Sequence, residues 1–264
     1  MKAVGTQLIV DTHAHLSDEQ LADRVERWLA EAAAADVTAV LSVGTIVTSS
    51  RACIALAERF PSVRAAVGIH PNYCCQAGAD DWAAITELSG HPRVAALGET
   101  GLDRYWDDCP WDVQVDYFRR HLQLSRETKL PVVIHTRECA EETVAILRDE
   151  AKKGLLRGVM HSFTGPQSVA DDCLKLGLYI SFAGMVTYKN ADDLRAIAKT
   201  IPADRILVET DSPYLTPHPF RGKKPNHPAN VAHTLRCLAE VRGESYAVLA
   251  AQTTANAERL FGAW

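Results

Sequence analysis

Short runs of β-branched and aliphatic residues alternate along the chain with longer amphipathic stretches whose apolar residues recur at helical spacing. The runs predict eight strands, over Gln7–His15, Val37–Val43, Val63–His70, Val94–Glu99, Pro131–His135, Gly158–His161, Leu178–Phe182 and Ile206–Asp211. The amphipathic stretches predict helices over Ser17–Ala35, Ser49–Phe60, Asp112–Thr128, Glu138–Lys153, Pro166–Leu176 and Ala191–Lys199, with two more between Asn230 and Trp264. This alternation is typical of repeated βα units.

The strands are almost continuously apolar, which is the pattern of parallel strands buried on both faces. Eight βα units close into a (β/α)8 TIM barrel, and 264 residues suit that fold, for which roughly 250 are typical. An open doubly wound sheet is the alternative. It is disfavoured because no GxGxxG motif follows the first strand and an open sheet of eight parallel strands would be long. We predict an α/β barrel in one domain, residues 1–264.

Composition narrows the class of protein. Hydrophobic residues make up 47% and charged residues 23% of the chain, as in soluble globular proteins. The net charge of −5 argues against a surface dominated by lysine and arginine, although a local positive site is compatible with it. Seven cysteines without a CxxC pair indicate reduced thiols, and neither Met1–Val10 nor any other segment resembles a signal peptide or membrane span. We expect a cytoplasmic protein with no membrane contact and no obligate protein partner.

Histidines and carboxylates interrupt the apolar pattern at the carboxyl ends of the predicted strands. Such side chains are costly among aliphatic residues unless they are paired or bind metal. In a barrel these strand ends meet at one rim, where the active sites of the fold lie. Five of the ten histidines take part, and the full set is His13, His15, His70, Glu99, His135, His161, Glu209 and Asp211.

The pair His13 and His15 is the most specific of these features. Residues two apart on a strand point to the same side, so both imidazoles can bind one ion. If the pair is considered alone, the alternative to metal binding is that both histidines are structural residues at the end of a strand. Asp11 points the same way, and we expect it to orient an imidazole.

The remaining candidate ligands indicate a metal site only when they are considered together. Glu99 is followed by a predicted turn, Thr100–Asp103, and its carboxylate can bridge two ions; alone, it would be read as a surface residue. A lone histidine after a strand is more often a core residue, but His135 and His161 face a His-x-His pair and a glutamate. The predicted ligands of two divalent ions are His13, His15, Glu99, His135, His161 and Asp211. Mixed N and O donors suit Zn, Mn, Co or Mg.

Such a centre favours anionic substrates, because two dications beside two carboxylates leave a local charge of about +2. We expect the ions to share a water and lower its pKa, with Asp211 as the base and Glu99 as the bridging catalytic carboxylate. His70 and Arg137 are predicted to hold phosphate oxygens, with a loop histidine and a surface arginine as their equally weighted alternatives. For Glu209, a role inside the barrel and a catalytic role stay equally open.

The whole set of motifs resembles the TatD family of metal-dependent deoxyribonucleases, and the resemblance covers nearly the whole chain. It rests on Asp11-Thr-His-Ala-His15, Gly68-Ile-His-Pro71, Gly98-Glu-Thr-Gly-Leu-Asp103, Pro131-Val-Val-Ile-His-Thr-Arg137, His161-Ser-Phe-Thr-Gly165, Ile180-Ser-Phe-Ala-Gly184 and Glu209-Thr-Asp-Ser-Pro-Tyr214. The resemblance implies an amidohydrolase-like barrel that cleaves DNA phosphodiesters with Mg, often from a 3′ end, with the same six ligands. Single-stranded DNA or 3′ ends would then be the substrate.

One segment departs from the family pattern. Where the family commonly has a glutamate before a proline, this chain has His227 in Arg221-Gly-Lys-Lys-Pro-Asn-His-Pro228. Two other functions stay open within enzymes: hydrolysis of a small-molecule amide, lactone or ester, and cleavage of RNA phosphodiesters. A non-catalytic protein with a structural metal is the alternative outside enzymes.

Overall fold

Eight parallel strands, each hydrogen-bonded to the next in chain order, form the centre of the computed structural model, which describes residues 8–264. They are β1 (Ile9–Ala14), β2 (Val37–Val43), β3 (Val63–Val67), β4 (Val94–Asp103), β5 (Val132–Arg137), β6 (Gly158–Met160), β7 (Tyr179–Phe182) and β8 (Ile206–Val208). The circle closes where Ala14 bridges Ser212 and the backbone N–H of His15 donates to the Ser212 carbonyl at 2.7 Å. The predicted α/β barrel is confirmed.

Helices follow the strands and cover the outside of the barrel. They are α1 (Glu19–Ala22), α2 (Val25–Ala34), α3 (Val47–Arg59), α4 (Asp81–Leu88), α5 (Trp111–Thr128), α6 (Ala140–Ala151), α7 (Gln167–Lys175), α8 (Asp192–Thr200), α9 (Val231–Arg242) and α10 (Tyr246–Phe261), with short 3-10 turns at Pro71–Gln76, Gly184–Thr187 and Pro228–Asn230. Over residues 8–264, no helix combines the length and the apolar character needed to cross a lipid bilayer.

Most predicted elements match these bounds to within a few residues, and the exceptions have local causes. Gln7, the predicted start of the first strand, and residues 1–6 before it lie outside the described residues. The single helix predicted over Ser17–Ala35 is divided into α1 and α2, and Asp18 caps α1 by accepting the Gln20 N–H at 2.9 Å. Helix α4, between β3 and β4, was not predicted.

Strand β4 is longer than predicted. The segment Thr100–Asp103 is not a turn, because it continues the strand and pairs with β5 as far as Arg137. Gly101 makes this pairing possible: its φ is +142°, and a Cβ atom there would lie 2.0 Å from the His135 carbonyl oxygen. The register shift between Leu97 and Thr100 marks the irregular stretch that carries Glu99.

The core has two layers because side chains alternate along each strand. In β5, Val132 and Ile134 belong to the large cluster shared with the helices, whereas Val133 belongs to a second cluster of strand residues. The end of α10 packs against this second cluster through Phe261, and Arg64 near the start of β3 donates to the carbonyl of Ala263 at 2.7 Å. The carboxyl ends of the strands form the opposite mouth of the barrel.

A buried histidine on α5 ties this helix to the chain after β3. His121 Nε2 accepts the backbone N–H of Ile69 at 3.2 Å, and its Nδ1 lies 2.7 Å from the carbonyl oxygen of Tyr117. One nitrogen therefore accepts and the other donates, which is the neutral form of the ring. Burial lowers the pKa of His121 to about 4.

Acid should weaken the fold through His121. The unfolded chain takes up this proton near pH 6.5 and the folded chain only near pH 4, so stability is lost as the pH falls through that window. The loss is on the order of 3 kcal/mol. Urea unfolding of the native protein and of His121→Gln at several pH values isolates the effect, because other titrating groups are common to both. The difference in free energy of unfolding between the two proteins should become smaller towards pH 4. A difference that does not change with pH would contradict the lowered pKa of His121.

The close approach of β4 and β5 predicts that Gly101→Ala is strongly destabilising. Backbone strain and overlap with the His135 carbonyl should together lower the free energy of unfolding by about 4 kcal/mol. Gly177→Ala is the matched control, because Gly177 also has a positive φ of +84° but no atom lies within 4 Å of a Cβ there. It should lose only about 1 kcal/mol. Equal losses in urea denaturation would show that the contact with β5 is unimportant.

Candidate metal centre

The six side chains predicted to bind metal meet above the carboxyl ends of the strands. They come from β1 and the residue after it, from β4, from β5, from the residue after β6, and from the loop after β8: His13 and His15, Glu99, His135, His161, and Asp211. They form two groups of donor atoms that share Glu99.

The first group contains His13 Nε2, His15 Nε2, Glu99 Oε2 and Asp211 Oδ1. The two imidazole nitrogens are 3.2 Å apart, and each lies 3.5–3.6 Å from both carboxylate oxygens. Four donors around a cation at bond lengths of about 2.0–2.2 Å are separated by roughly 3.4 Å along the edges of a tetrahedron. These spacings therefore fit one divalent ion held by two nitrogens and two oxygens.

The second group surrounds the other oxygen of the same carboxylate. Glu99 Oε1 lies 2.8 Å from His161 Nε2, 2.9 Å from His135 Nδ1 and 3.5 Å from His70 Nε2. The two closer nitrogens are 3.4 Å from each other. Because each oxygen of Glu99 faces a different set of nitrogens, its carboxylate takes part in both groups of donor atoms.

Carboxylates behind the imidazoles explain why this second group suits a cation. His135 Nε2 is 3.0 Å from Asp103 Oδ2, so it carries the ring proton and leaves the Nδ1 lone pair facing Glu99. In the same way, His161 Nδ1 lies 3.3 Å from Glu209 Oε1. A lone pair aimed at a carboxylate oxygen needs a cation between them, either a proton or a metal ion.

The sequence analysis missed one of these supporting carboxylates and left the role of the other open. Asp103 stands in the segment predicted as a turn, so its place on β4 facing His135 was missed. Glu209, which the sequence left between a role in the barrel and a catalytic role, is fully buried behind His161 and accepts the backbone N–H of Ser162. A signal was available for Asp103, because it is four residues after Glu99 in one motif.

Asp11 does not orient an imidazole as expected. Its carboxylate accepts the backbone N–H groups of His13 at 3.3 Å and Thr210 at 2.9 Å, together with the Thr210 hydroxyl at 2.6 Å. Burial raises the pKa of Asp11 to about 8. The residue therefore joins β1 to the segment after β8, and so fixes the distance between the His13–His15 pair and Asp211.

Asp211 stands in a left-handed turn, with φ 53°. Its backbone N–H donates to the His13 carbonyl at 2.9 Å, which holds the turn against β1. Asn226 supports the same turn by donating to the carbonyls of Thr210 at 3.1 Å and Tyr214 at 2.6 Å. An aspartate held in a strained conformation by several fixed contacts is a common feature of active sites.

The cluster attracts positive charge. Burial alone would raise the pKa of Glu99, but the surrounding histidines, led by His161 and His70, hold it well below its usual value. Burial lowers the pKa of each imidazole, yet Glu99 and Glu209 raise that of His161 well above the ordinary value. The pKa of His135 is raised by Asp103 and Glu99. Protons and metal ions therefore compete for the same nitrogens.

His70 differs from the other histidines. Its Nδ1 accepts the backbone N–H of Asn72 at 3.2 Å, so in the neutral ring the proton is on Nε2, the atom that faces Glu99. An Nε2–H group is a donor rather than a metal ligand. This geometry agrees with the predicted contact to a substrate oxygen.

Arg137, the other predicted phosphate ligand, packs on aromatic side chains. Its guanidinium carbon lies 3.7 Å from the ring centre of Tyr105 and 5.7 Å from that of Trp106. His70 and Arg137 both line a cavity of about 690 Å³ that also exposes Glu99 and Asp211. A volume of this size is in the range of small-molecule binding sites.

Comparison with known proteins agrees with this geometry. The family model of TatD-related DNases matches residues 10–262. The chain belongs to this family. The uncharacterized metal-dependent hydrolase YabD of Bacillus subtilis is 41% identical over 96% of this chain and 99% of its own. The 3′-5′ ssDNA/RNA exonuclease TatD of Citrobacter rodentium is 35% identical over 96% of this chain and 97% of its own.

A solved TatD homologue, YjjV of Escherichia coli K12, superimposes with a TM-score of 0.91 at 27% identity, covering 98% of this chain and 99% of that one. The resemblance to the TatD family is confirmed, and the protein is a metal-dependent hydrolase.

The one departure from the TatD pattern lies away from the cavity. The ring of His227 stacks on Trp28 of α2 with centroids 4.9 Å apart, and its Nε2 is 3.9 Å from Glu31. The side chain therefore packs against α2. The preceding residue, Asn226, keeps the contacts that support the Asp211 turn.

Replacing Asp103 tests the support of His135. Asp103→Asn keeps the shape of the side chain but removes the charge that fixes the imidazole, and it should weaken Mn²⁺ binding by about 10- to 100-fold. Isothermal titration with Mn²⁺ measures the loss. Asp107→Asn, an exposed residue of the same loop, is the matched control and should bind as the native protein does. Native affinity in Asp103→Asn would exclude the proposed support.

Proposed function

We propose that this TatD-family hydrolase cleaves phosphodiester bonds of single-stranded DNA from the 3′ end, with two divalent ions held by His13, His15, Glu99, His135, His161 and Asp211. The observation that carries the proposal is the pair of donor groups on the two oxygens of Glu99, open to one cavity. The exonuclease named among the relatives supports the substrate class. Mg²⁺, Mn²⁺ or Zn²⁺ suits this mixture of nitrogen and oxygen donors.

Electrostatics favours an anionic substrate. Two dications would bring four positive charges to a site whose carboxylates are Glu99, Asp211, Asp103 and Glu209. With neutral histidines the bound ions would offset these carboxylates, and Arg137 on the cavity wall would add a positive charge. A phosphodiester would then meet no net negative charge at the site, although the chain as a whole carries −5.

When bound, such ions would lower the pKa of a coordinated water towards neutrality. Asp211 would accept the proton that the attacking water loses. Burial would raise the pKa of Asp211, but His15, His13 and His161 lower it, so the carboxylate is ionised and ready to accept. Asp211 is also the more accessible acid, since its side chain is 15% exposed and that of Glu99 only 4%. Glu99, whose two oxygens face different sets of imidazole nitrogens, would help to hold the ions.

The substrate phosphate is held by the two donors on the cavity wall. The Nε2–H of His70 donates to a non-bridging oxygen, a role for which its Asn72 contact sets the tautomer. Arg137 lies on the same wall and supplies a charged donor to the neighbouring phosphate. Both residues act in positioning, whereas proton transfer belongs to Asp211.

A labelled-oligonucleotide assay tests the proposal. Single-stranded DNA labelled at either end is digested by the native protein with Mg²⁺ or Mn²⁺, and the products should shorten progressively from the 3′ end. His135→Ala and Asp211→Ala should abolish turnover and leave the circular dichroism spectrum unchanged. His91→Ala, in which a half-buried histidine paired with Glu58 is removed outside the cavity, is the matched control and should retain full activity. Metal analysis should return two ions per native chain.

Parallel substrates separate this function from its alternatives. RNA of the same sequence tests whether the protein cleaves RNA phosphodiesters, an activity that the name of the Citrobacter relative also supports. A lactone, an amide and a phosphotriester test whether the substrate is a small molecule. Turnover of one of these without cleavage of either nucleic acid would overturn the proposal, and near-native activity in His135→Ala or Asp211→Ala would reject the site.

A further inference from the structure

Exposed aromatic side chains gather at the mouth of the cavity. Eight large apolar side chains are exposed in the part of the chain that the structure describes, and four of them are aromatic. Three aromatics, Tyr73, Trp106 and Tyr214, line the cavity, and the fourth, Tyr105, touches Trp106 with ring centres 4.8 Å apart at 87°. None of the four exposed aliphatic side chains lines the cavity. Aromatic exposure is thus a feature of the site rather than of the surface in general.

The loop that carries Trp106 is fixed to the metal centre. Asp103 Oδ1 accepts the backbone N–H groups of Tyr105 at 2.8 Å and Trp106 at 3.2 Å. The other oxygen of this carboxylate is the one that faces His135 Nε2 at 3.0 Å. A single side chain therefore sets the position of the indole relative to a metal-binding imidazole.

Arg137 adds positive charge beside the same rings. Its guanidinium group stacks on Tyr105 and lies within 5.7 Å of the Trp106 ring centre. The two tyrosines at the mouth adjoin histidines of the site: the ring of Tyr73 is centred 5.9 Å from that of His70, the predicted phosphate donor, and the ring of Tyr214 is centred 6.1 Å from that of His15, a predicted metal ligand. Aromatic faces and a cation therefore border the space next to the position of the scissile phosphate.

We propose that Trp106 is a base-stacking subsite for an unpaired nucleotide next to the phosphodiester at the metal centre; this inference rests on the proposed nuclease function. An indole presents the largest flat face among the exposed rings, and stacking tolerates any base because every base has a π-face. A base inside a duplex has both faces covered by its neighbours. The subsite thus selects single strands and frayed ends, and Arg137 supports the ring while contacting the backbone.

Kinetics on normal and abasic substrates tests the subsite. The substrates are a single-stranded oligonucleotide and the same strand with abasic 3′ nucleotides, and the proteins are the native form, Trp106→Ala, Trp106→Phe and Leu155→Ala. Trp106→Ala should raise KM on the normal strand roughly 5- to 150-fold with a smaller effect on kcat. Trp106→Phe should recover most of the loss, because it restores an aromatic face. The native protein should show a similar loss on the abasic strand, and Trp106→Ala should add no further loss there.

A control variant and the possible outcomes distinguish failure of the Trp106 subsite from failure of the proposed nuclease function. Leu155→Ala removes an exposed apolar side chain remote from the cavity and should behave as the native protein does. If Trp106→Ala raises KM equally on both strands, or if the native protein cleaves both strands equally well, the proposed subsite is wrong and the nuclease function stands. If the native protein cleaves neither strand, the proposed function itself fails and the subsite with it.

Discussion

Glu99 places a negative charge at the buried mouth of the barrel, and the surrounding site is arranged to compensate it. An ionised carboxylate out of water is very costly unless positive groups or hydrogen-bond donors surround it. Here, imidazole nitrogens approach both of its oxygens, and further carboxylates such as Asp103 and Glu209 stand behind the imidazoles. Because carboxylates lie on both sides of the imidazoles, the space between the imidazole nitrogens and Glu99 favours cations. The same electrostatic demand for positive charge makes the cluster a candidate metal centre.

Closure of the barrel determines whether this centre is complete. His13 and His15 come from the first strand and Asp211 from the loop after the last, so the first donor group exists only if the two ends of the sheet meet. Asp11 provides that junction by accepting N–H groups on both sides of it. The two chain ends of the sheet are thus joined within the metal site itself. The hydrogen bonds that close the sheet therefore also set the spacing of the first donor group.

The cavity above the candidate metal centre determines which molecules can reach it. Its wall combines the Nε2–H of His70, the guanidinium of Arg137 and three exposed aromatic rings. Donors and a cation suit a phosphate, and flat apolar faces suit an unpaired base, so the wall matches the two halves of a nucleotide. A lactone or amide would use the ions but would leave the aromatic rings without a partner.

The barrel and most of the side chains at its mouth could be predicted from the order of residues alone. Apolar periodicity marks eight strands, and side chains such as His13 and His15 share a face because residues alternate along a strand. These properties are local, so they can be derived from the order of residues. The three-dimensional packing was needed to show that each oxygen of Glu99 faces a different group, that Asp103 supports His135, and that Asp11 binds backbone instead of an imidazole. Most of these contacts join residues that are distant in sequence, and they depend on close approaches between strands such as that of Gly101 to β5. Local pattern carries no information about such distances, because they are set by how the strands pack against one another.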